Sequence, residues 1–224
     1  MSRLNVLFIG NSITARSDLP NLIARMAAKR GREMQYRLIS TGGASLRTHW
    51  NAGESLAAIS EGQFGRVVLQ EQSTLPIKNA ARMHDNVRLF DGAIMSVKAK
   101  TILYMTWARK NAPETQEAIT GAYLAIGTEL AATVAPVGLA WQSFLRKHKT
   151  PVLHDKDLSH PTLAGSYLAA CVFMAVLFQE NPVGIDLDVA RLGASDQIAL
   201  QKVAWQVCKS ATPKHRTSAK RAVK

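Results

Sequence analysis

The stretch Leu4-Asn5-Val6-Leu7-Phe8-Ile9-Gly10-Asn11-Ser12 opens the chain with an apolar, partly β-branched run that stops at a glycine and two polar residues. Four further apolar runs follow, separated by stretches with helical periodicity, at residues 34–40, 66–71, 100–107 and 136–140. Runs of strand length that alternate with helical stretches predict βαβ units and a parallel sheet. The near-continuous hydrophobicity of the third and fourth runs is typical of strands covered on both faces. We therefore predict an α/β fold, a three-layer α/β/α sandwich with about five parallel strands.

Helices are expected between these strands and after them. Pro20 near the first helical position and Gly31 beyond the last turn bracket the first helix. A later helix begins with Pro161, and its stretch from Leu163 to Phe178 carries no charge. That stretch is shorter than the roughly 20 residues that a bilayer span requires, so it predicts a buried core helix and no membrane span. The predicted helices lie at residues 20–31, 52–61, 79–98, 114–133, 161–179 and 194–208.

The composition indicates one globular domain followed by a basic tail. A hydrophobic content of 47% and a charged content of 20% exclude a largely disordered or fibrous chain. The net charge is +12, and the last sixteen residues carry six positive charges and no acidic residue. We therefore predict one domain over residues 1–208 and a disordered tail over residues 209–224. Such a tail can contact nucleic acid or anionic lipid, but a solubilising role is the favoured interpretation.

The two cysteines and the N-terminus carry information about cellular context. Cys171 and Cys208 both lie in apolar helical patterns, which predicts buried thiols and neither a disulfide framework nor a zinc site. The apolar run at residues 4–9 is too short and too quickly ended to be a signal peptide. As written, the chain is expected to be cytoplasmic. The pattern does not indicate an oligomeric state.

Polar residues follow each apolar run, which indicates where chemistry would take place. In open parallel sheets, ligands bind outside the carboxyl ends of the strands. The segments that follow the five predicted strands are expected to converge on one rim; they are residues 11–12, 42–45, 70–73, 107–110 and 157–160.

Ser12, His160 and Asp157 supply the residue types of a hydrolase triad. A free serine hydroxyl is a weak nucleophile at neutral pH and needs a base, and His160 has the best local context for that role. Asp157 precedes it by three residues, so its carboxylate can hold the imidazole in the required tautomer. Taken singly, Ser12 is typical of an N-cap and Asp-x-x-His of a surface turn. Their placement at the first and last strand ends of one predicted sheet favours catalysis.

An acyl-transfer site also needs hydrogen-bond donors for the oxyanion that develops during the reaction. The backbone N–H groups of Ser12 and Gly43 are candidates, since a glycine lets its N–H approach the reacting oxygen closely. Gln72 can supply a side-chain amide donor. The structural alternatives are an ordinary tight turn for Gly42-Gly43 and a polar strand-end residue for Gln72.

These motifs resemble those of the SGNH hydrolases, also called the GDSL family of esterases and lipases. Residues 8–14 (Phe-Ile-Gly-Asn-Ser-Ile-Thr) resemble the family's first block, with Asn11 in place of the commoner Asp, and Gly43 resembles the glycine of the second block. Residues 157–161 (Asp-Leu-Ser-His-Pro) match the last block. The third block, usually Gly-x-Asn-Asp, departs from the pattern, because Gln72 stands where the oxyanion-hole Asn would be. The resemblance spans residues 4 to 180 and implies a flavodoxin-like sheet, ester hydrolysis through an acyl-enzyme, and catalysis without a metal or other cofactor.

The substrate is less well indicated by the sequence. Asn11, His49, Trp107 and Arg109 are candidate substrate-binding residues at the rim, and Trp50 lies beside them in sequence. An aromatic ring with polar neighbours can face a sugar, so a small-molecule acetyl or other short-chain ester, including a carbohydrate ester, is the expected substrate. Packing of the tryptophans in the core is an equally good interpretation.

Two other interpretations of the rim stay open at this point. A metal site could be built from the short segment that contains His154, Asp155, Asp157 and His160, but no other nearby residues complete a ligand set. Alternatively, a non-catalytic protein with the same fold could bind polyanions through its basic tail or through Arg109 and Lys110. Neither a P-loop nor a dinucleotide-binding glycine pattern is present.

Overall fold

Five parallel strands form a single sheet in the computed structural model, which describes residues 3–211. The strands are β1 (Leu4–Gly10), β2 (Met34–Ser40), β3 (Arg66–Leu69), β4 (Lys100–Tyr104) and β5 (Thr133–Ala135). Their order across the sheet is β2-β1-β3-β4-β5, and every neighbouring pair is parallel. This is the flavodoxin-like doubly wound order. The predicted α/β architecture is confirmed.

Helices connect the strands and cover both faces of the sheet. In chain order they are α1 (Ser12–Ala15), α2 (Leu19–Lys29), α3 (Leu46–Ala52), α4 (Glu54–Ser60), α5 (Leu75–Lys78), α6 (Ala80–Ser96), α7 (Gln116–Glu129), α8 (Val137–Lys147), α9 (Leu163–Phe178) and α10 (Ala194–Ala211). The predicted helix at 52–61 matches α4, and the preceding helix α3 was not predicted. Gly53, with φ +79°, separates them, because a left-handed residue interrupts the helical hydrogen bonds.

The alternating side chains of the strands divide the core into two halves. On β1, Val6 and Phe8 pack on one face of the sheet with α2, α8, α9 and α10, whereas Leu7 and Ile9 pack on the other face with α3, α4, α6 and α7. Successive side chains of a strand point to opposite faces, so a strand that is apolar at every position requires two covering layers. The three predicted layers follow from this pattern.

The fifth strand was predicted at the wrong residues. The run at 136–140 lies at the start of α8, and the strand is the shorter segment Thr133–Ala135 immediately before it. A short apolar run cannot be assigned to a strand or a buried helix by periodicity alone. Here Val137, Ala140, Trp141 and Phe144 are buried at helical spacing, which places the run on the core-facing side of a helix.

The uncharged stretch predicted as a core helix is α9, and it is the most deeply buried helix of the fold. Twelve consecutive residues, Ala164–Ala175, are buried, and the helix packs against α2, α8 and α10. Among residues 3–211, the structure contains no helix that is long and apolar enough to cross a membrane.

Helix α10 continues to Ala211, three residues beyond the predicted domain end. The rest of the predicted tail, residues 212–224, lies outside the described residues.

Candidate active site

Ser12 lies where β1 ends and a short helix begins. It is the first residue of α1, directly after Asn11, whose side-chain oxygen caps the helix by accepting a hydrogen bond from the Ile13 N–H at 3.1 Å. The N–H of a first helical residue has no intrahelical acceptor, so the Ser12 N–H is available to a ligand. The side chain of Ser12 is partly exposed. The local structure therefore presents both a hydroxyl and a backbone donor at the rim.

A buried amide fixes this turn from below. Gln70, which follows β3, is fully buried, and its Oε1 accepts hydrogen bonds from the Asn11 N–H at 2.9 Å and from Thr14 Oγ1 at 3.0 Å. Gly10 packs directly against this contact: a Cβ at that position would lie 2.7 Å from both Gln70 Oε1 and Thr14 Oγ1. The glycine before Asn11 is thus required by a close approach.

Ser12, His160 and Asp157 form one continuous hydrogen-bonded row. Ser12 Oγ lies 2.8 Å from His160 Nε2, although 148 residues separate them in sequence. The other ring nitrogen, His160 Nδ1, lies 2.5 Å from Asp157 Oδ2. If Nδ1 donates to the carboxylate, Nε2 is left as the acceptor for the serine proton. The structure brings together the three residues predicted from the sequence, although residues 157–160 lie between α8 and α9 and not directly after the fifth strand as expected.

The Asp157 carboxylate also organises the loop that carries the histidine. Its second oxygen, Oδ1, accepts hydrogen bonds from the backbone N–H groups of His160 at 2.9 Å and Ser159 at 3.0 Å. These two donors, followed by the His160 ring, hold the pKa of the Asp157 carboxyl well below its ordinary range. Asp157 therefore stays ionised at neutral pH and faces the imidazole as an acceptor.

A buried stack of rings supports this loop from beneath. Trp107 Nε1 donates to the Ser159 carbonyl at 3.0 Å, and the Trp107 ring stacks on Trp141 with centroids 3.8 Å apart. Trp141 Nε1 in turn donates to His154 Nδ1 at 3.4 Å, while His154 Nε2 donates to the Ala108 carbonyl at 3.0 Å. Burial lowers the pKa of His154, in agreement with a neutral ring that donates at one nitrogen and accepts at the other.

The predicted oxyanion donors lie on segments that adjoin Ser12. Asn11 Nδ2 donates to the Ala44 carbonyl at 3.0 Å, which ties the turn containing Gly43 to the residue before Ser12. Gly43 has φ +69°, and its N–H has no partner among residues 3–211. Gln72 uses its Oε1 to accept hydrogen bonds from the N–H groups of Thr74 and Leu75, and its Nε2 has no partner in the same part of the chain.

The candidate substrate-binding residues divide into two groups. Asn11, His49 and Trp107 are each 3% exposed, and their polar atoms bind the protein's own backbone, His49 Nε2 donating to the Gly10 carbonyl at 2.7 Å. These three side chains therefore support the site from within instead of facing a substrate. This differs from the expectation for Asn11 and His49 and agrees with the core-packing interpretation of Trp107. Arg109 is exposed, as predicted for a rim residue.

The four residues of the metal alternative have other partners. His154 is held by Trp141 and Ala108, as described above, and Asp155 forms an ion pair with Arg16 at 2.7 Å. Asp157 and His160 bind each other. Within the described range, no group of three or more His, Cys, Asp or Glu side chains is arranged to hold a metal ion.

Sequence reasoning gave no supporting role to several buried polar residues around the site, namely Gln70, Glu71, Asn86 and His154. Glu71 and Asn86 are each 1% exposed and hydrogen-bond to each other at 2.8 Å. Gln70 and Glu71 stand in the segment that follows the third strand, so their position was a signal. Asn86 lies in the middle of α6, where nothing in the local sequence distinguishes it from a surface amide.

Neither a protein-family model nor a curated protein sequence matches the chain. Solved structures share its fold at low identity. A DUF4886 family protein from Bacteroides uniformis matches with a TM-score of 0.76 and 17% identity over 92% of this chain and 95% of its own. A putative SGNH hydrolase from Slackia heliotrinireducens matches with a TM-score of 0.68 and 23% identity over 79% of this chain and 100% of its own. A variant of a Geobacillus acetyl-xylooligosaccharide esterase matches with a TM-score of 0.63 and 16% identity over 76% of this chain and 92% of its own.

Proposed function

Because the chain has the fold of the SGNH hydrolases, we propose that it is a serine hydrolase that cleaves acyl esters. The observation that carries this proposal is the row from Ser12 Oγ through the His160 ring to the Asp157 carboxylate, with separations of 2.8 and 2.5 Å. Nucleophile, base and orienting group are within hydrogen-bond reach of one another, which is the geometry that activates a serine.

In the proposed reaction, His160 Nε2 takes the proton from Ser12 as Ser12 Oγ attacks the ester carbonyl. The imidazolium that forms is stabilised by Asp157, which is already ionised and bound to Nδ1. His160 then gives the proton to the leaving alcohol, and an acyl group remains on Ser12. A water molecule, deprotonated by His160, attacks this acyl-enzyme, releases the acid and restores the serine.

The tetrahedral oxyanion needs donors that are in place before the reaction. We assign this role to the N–H groups of Ser12 and Gly43 and to the Nε2 of Gln72. All three lack partners among residues 3–211, and removal of one such donor typically reduces kcat by about 100-fold to 1,000-fold. Gln72 differs from the Asn common in the family by one methylene. The capping bonds that its Oε1 makes to Thr74 and Leu75 orient the amide despite the longer side chain.

We propose a short-chain ester, an acetylated carbohydrate in particular, as the substrate. Two of the structures with this fold are described as an acetyl-xylooligosaccharide esterase and an acetyl xylan esterase. The tryptophans do not contribute to this assignment, because Trp107 is buried against Trp141 and Trp50 packs against Phe90. Arg109 is an exposed rim residue that is available to contact the alcohol part of the ester.

A fluorophosphonate probe tests the nucleophile directly. We expect the probe to label the wild-type protein and the Ser73→Ala variant, because Ser73 follows β3 on the same rim but has no histidine partner within the described residues. Labelling should disappear in Ser12→Ala. Absence of labelling in folded wild-type protein would refute the proposal. A series of p-nitrophenyl esters from acetyl to longer acyl groups, followed by acetylated sugars, then defines the substrate.

Polyanion binding is the second candidate, favoured by one observation. Arg109 and Lys110 are exposed beside the triad and form no ion pair within the part of the chain that the structure describes. This function predicts binding that weakens steeply with salt and is unaffected by Ser12→Ala. The hydrolase predicts loss of turnover in that variant, so the same protein preparation distinguishes the two.

A further inference from the structure

Glu71 is a buried carboxyl that the proposed reaction does not use. It lies two residues after the end of β3 and is 1% exposed. A buried carboxylate is strongly destabilising unless hydrogen bonds and compensating charge surround it. The contacts that Glu71 makes therefore indicate its role.

One oxygen of Glu71 joins two separate segments of the rim. Oε1 accepts a hydrogen bond from the Leu46 N–H at 3.0 Å and another from the Gln72 N–H at 2.7 Å. Leu46 is the first residue of α3, two residues beyond the turn that ends at Ala44. The same oxygen thus holds both the turn that carries Gly43 and the backbone that carries Gln72.

The second oxygen of Glu71 is held by a polar relay that ends in a positive charge. Asn86 Nδ2 donates to Oε2 at 2.8 Å, and Asn86 Oδ1 accepts from Arg47 Nε at 3.1 Å. All three groups bound to Glu71 are donors, which matches the ionised carboxylate. Since Arg47 also lies on α3, the relay connects α3 to the end of β3 by a second route.

We propose that Glu71 is a positioning residue that sets the spacing of the oxyanion hole. It acts by clamping the α3 N-terminus to the Gln72 backbone, so that Gly43 N–H and Gln72 Nε2 converge on one point. This inference rests on the proposed hydrolase function. A displacement of about 1 Å in an oxyanion-hole donor is sufficient to reduce turnover by about 100-fold.

The Glu71→Gln variant tests the clamp with almost no change in shape. The introduced amide can keep its oxygen on the two backbone N–H groups, but its nitrogen then faces Asn86 Nδ2, donor against donor. Rotation of the Asn86 amide only transfers the conflict to Arg47 Nε. We expect kcat for a p-nitrophenyl ester to fall by about 100-fold while KM stays within about twofold, because the loss is confined to the transition state.

A second substitution should restore the arrangement. In Glu71→Gln/Asn86→Asp, the new carboxylate accepts from both the introduced amide and Arg47, so every donor again has an acceptor. We expect kcat to return to within about fivefold of wild type, whereas Asn86→Asp alone, which opposes two carboxylates, should be as impaired as Glu71→Gln. A control on the same helix as Asn86 is Asp91→Asn, since Asp91 binds Thr101 away from the rim. Its kcat should be unchanged.

Amide hydrogen exchange reports on the clamp without any turnover. The Leu46 and Gln72 N–H groups should exchange at least about tenfold faster in Glu71→Gln and slowly again in the double variant. A double variant as impaired as Glu71→Gln, or Glu71→Gln with wild-type kcat and exchange, would overturn the inference. If wild-type protein hydrolyses no ester, the hydrolase proposal fails, and the exchange rates still decide whether Glu71 holds the two segments together.

Discussion

The Asp157→Asn substitution replaces a carboxylate by an amide of the same shape, which removes its negative charge and changes the proton position on the His160 ring. The introduced amide can keep its oxygen on the backbone N–H groups of Ser159 and His160, so the loop is expected to stay folded. Its nitrogen then takes the place of Oδ2, 2.5 Å from His160 Nδ1, and donates to that ring atom. The ring must shift its proton to Nε2, which faces Ser12 Oγ at 2.8 Å. A protonated Nε2 cannot accept the serine proton.

The expected loss in kcat is about 10,000-fold, which corresponds to about 5 kcal/mol of transition-state stabilisation. This is the magnitude that a triad loses when its histidine is held in the wrong tautomer. Because the pKa of the Asp157 carboxyl lies well below its ordinary range, the wild-type residue is ionised from about pH 6 to about pH 9. Protonation of Asp157 should therefore contribute no pH dependence to wild-type turnover over that range.

Continuous p-nitrophenyl ester hydrolysis measures the loss in kcat, with thermal unfolding as a check that the variant is folded. Asp155→Asn is the matched control, since it removes a carboxylate two residues away that pairs with Arg16 at the surface. Exposed ion pairs contribute about 0–1 kcal/mol, so the control should keep its turnover and most of its stability. A folded Asp157→Asn variant that retains more than about one tenth of wild-type kcat would refute the tautomer argument.

Three further predictions concern other contacts. Gln72→Glu keeps the oxygen that caps Thr74 but exchanges the Nε2 donor for an oxygen. We expect kcat to fall by at least about 100-fold with unchanged thermal stability. A variant with the kcat of wild type would show that Gln72 is not part of the oxyanion hole. Gly10→Ala places a Cβ 2.7 Å from two buried oxygens and should lower the free energy of unfolding by about 1–3 kcal/mol in denaturant titrations. The control Gly92→Ala adds its Cβ in open space within α6 and should raise the free energy of unfolding by about 0.5–1 kcal/mol. A Gly10→Ala variant as stable as wild type would contradict the close-packing argument. Because the pKa of His154 is lowered in the folded protein, the unfolded chain binds this proton at higher pH than the folded chain. The free energy of unfolding should therefore decrease as the pH falls below about 6.5, and the decrease should be smaller in His154→Gln. An equal pH dependence of stability in the two proteins would show that another group is responsible.

The layers of the fold were readable from the sequence because they depend on local repetition. An apolar run such as residues 4–9 indicates by itself that its strand is covered on both faces. Helical stretches between the runs indicate parallel strands joined by helices. The error at 136–140 has the same origin. A short run of apolar residues is equally compatible with a buried strand and with the buried side of a helix such as α8. Only the packing of Trp141 and Phe144 in the core distinguishes the two structures.

The sequence by itself determined the residue types of the candidate site, because a nucleophile, a base with its carboxylate, and glycine and amide donors each carry a chemical signature. Tertiary structure decided everything that depends on distance. Contacts between residues as far apart as Ser12 and His160, or Leu46 and Glu71, form only when the segments at this edge of the sheet are assembled, and no local pattern encodes them. For the same reason three of the candidate substrate-binding side chains are buried, because the folded chain directs their polar atoms to its own backbone: Asn11, His49 and Trp107.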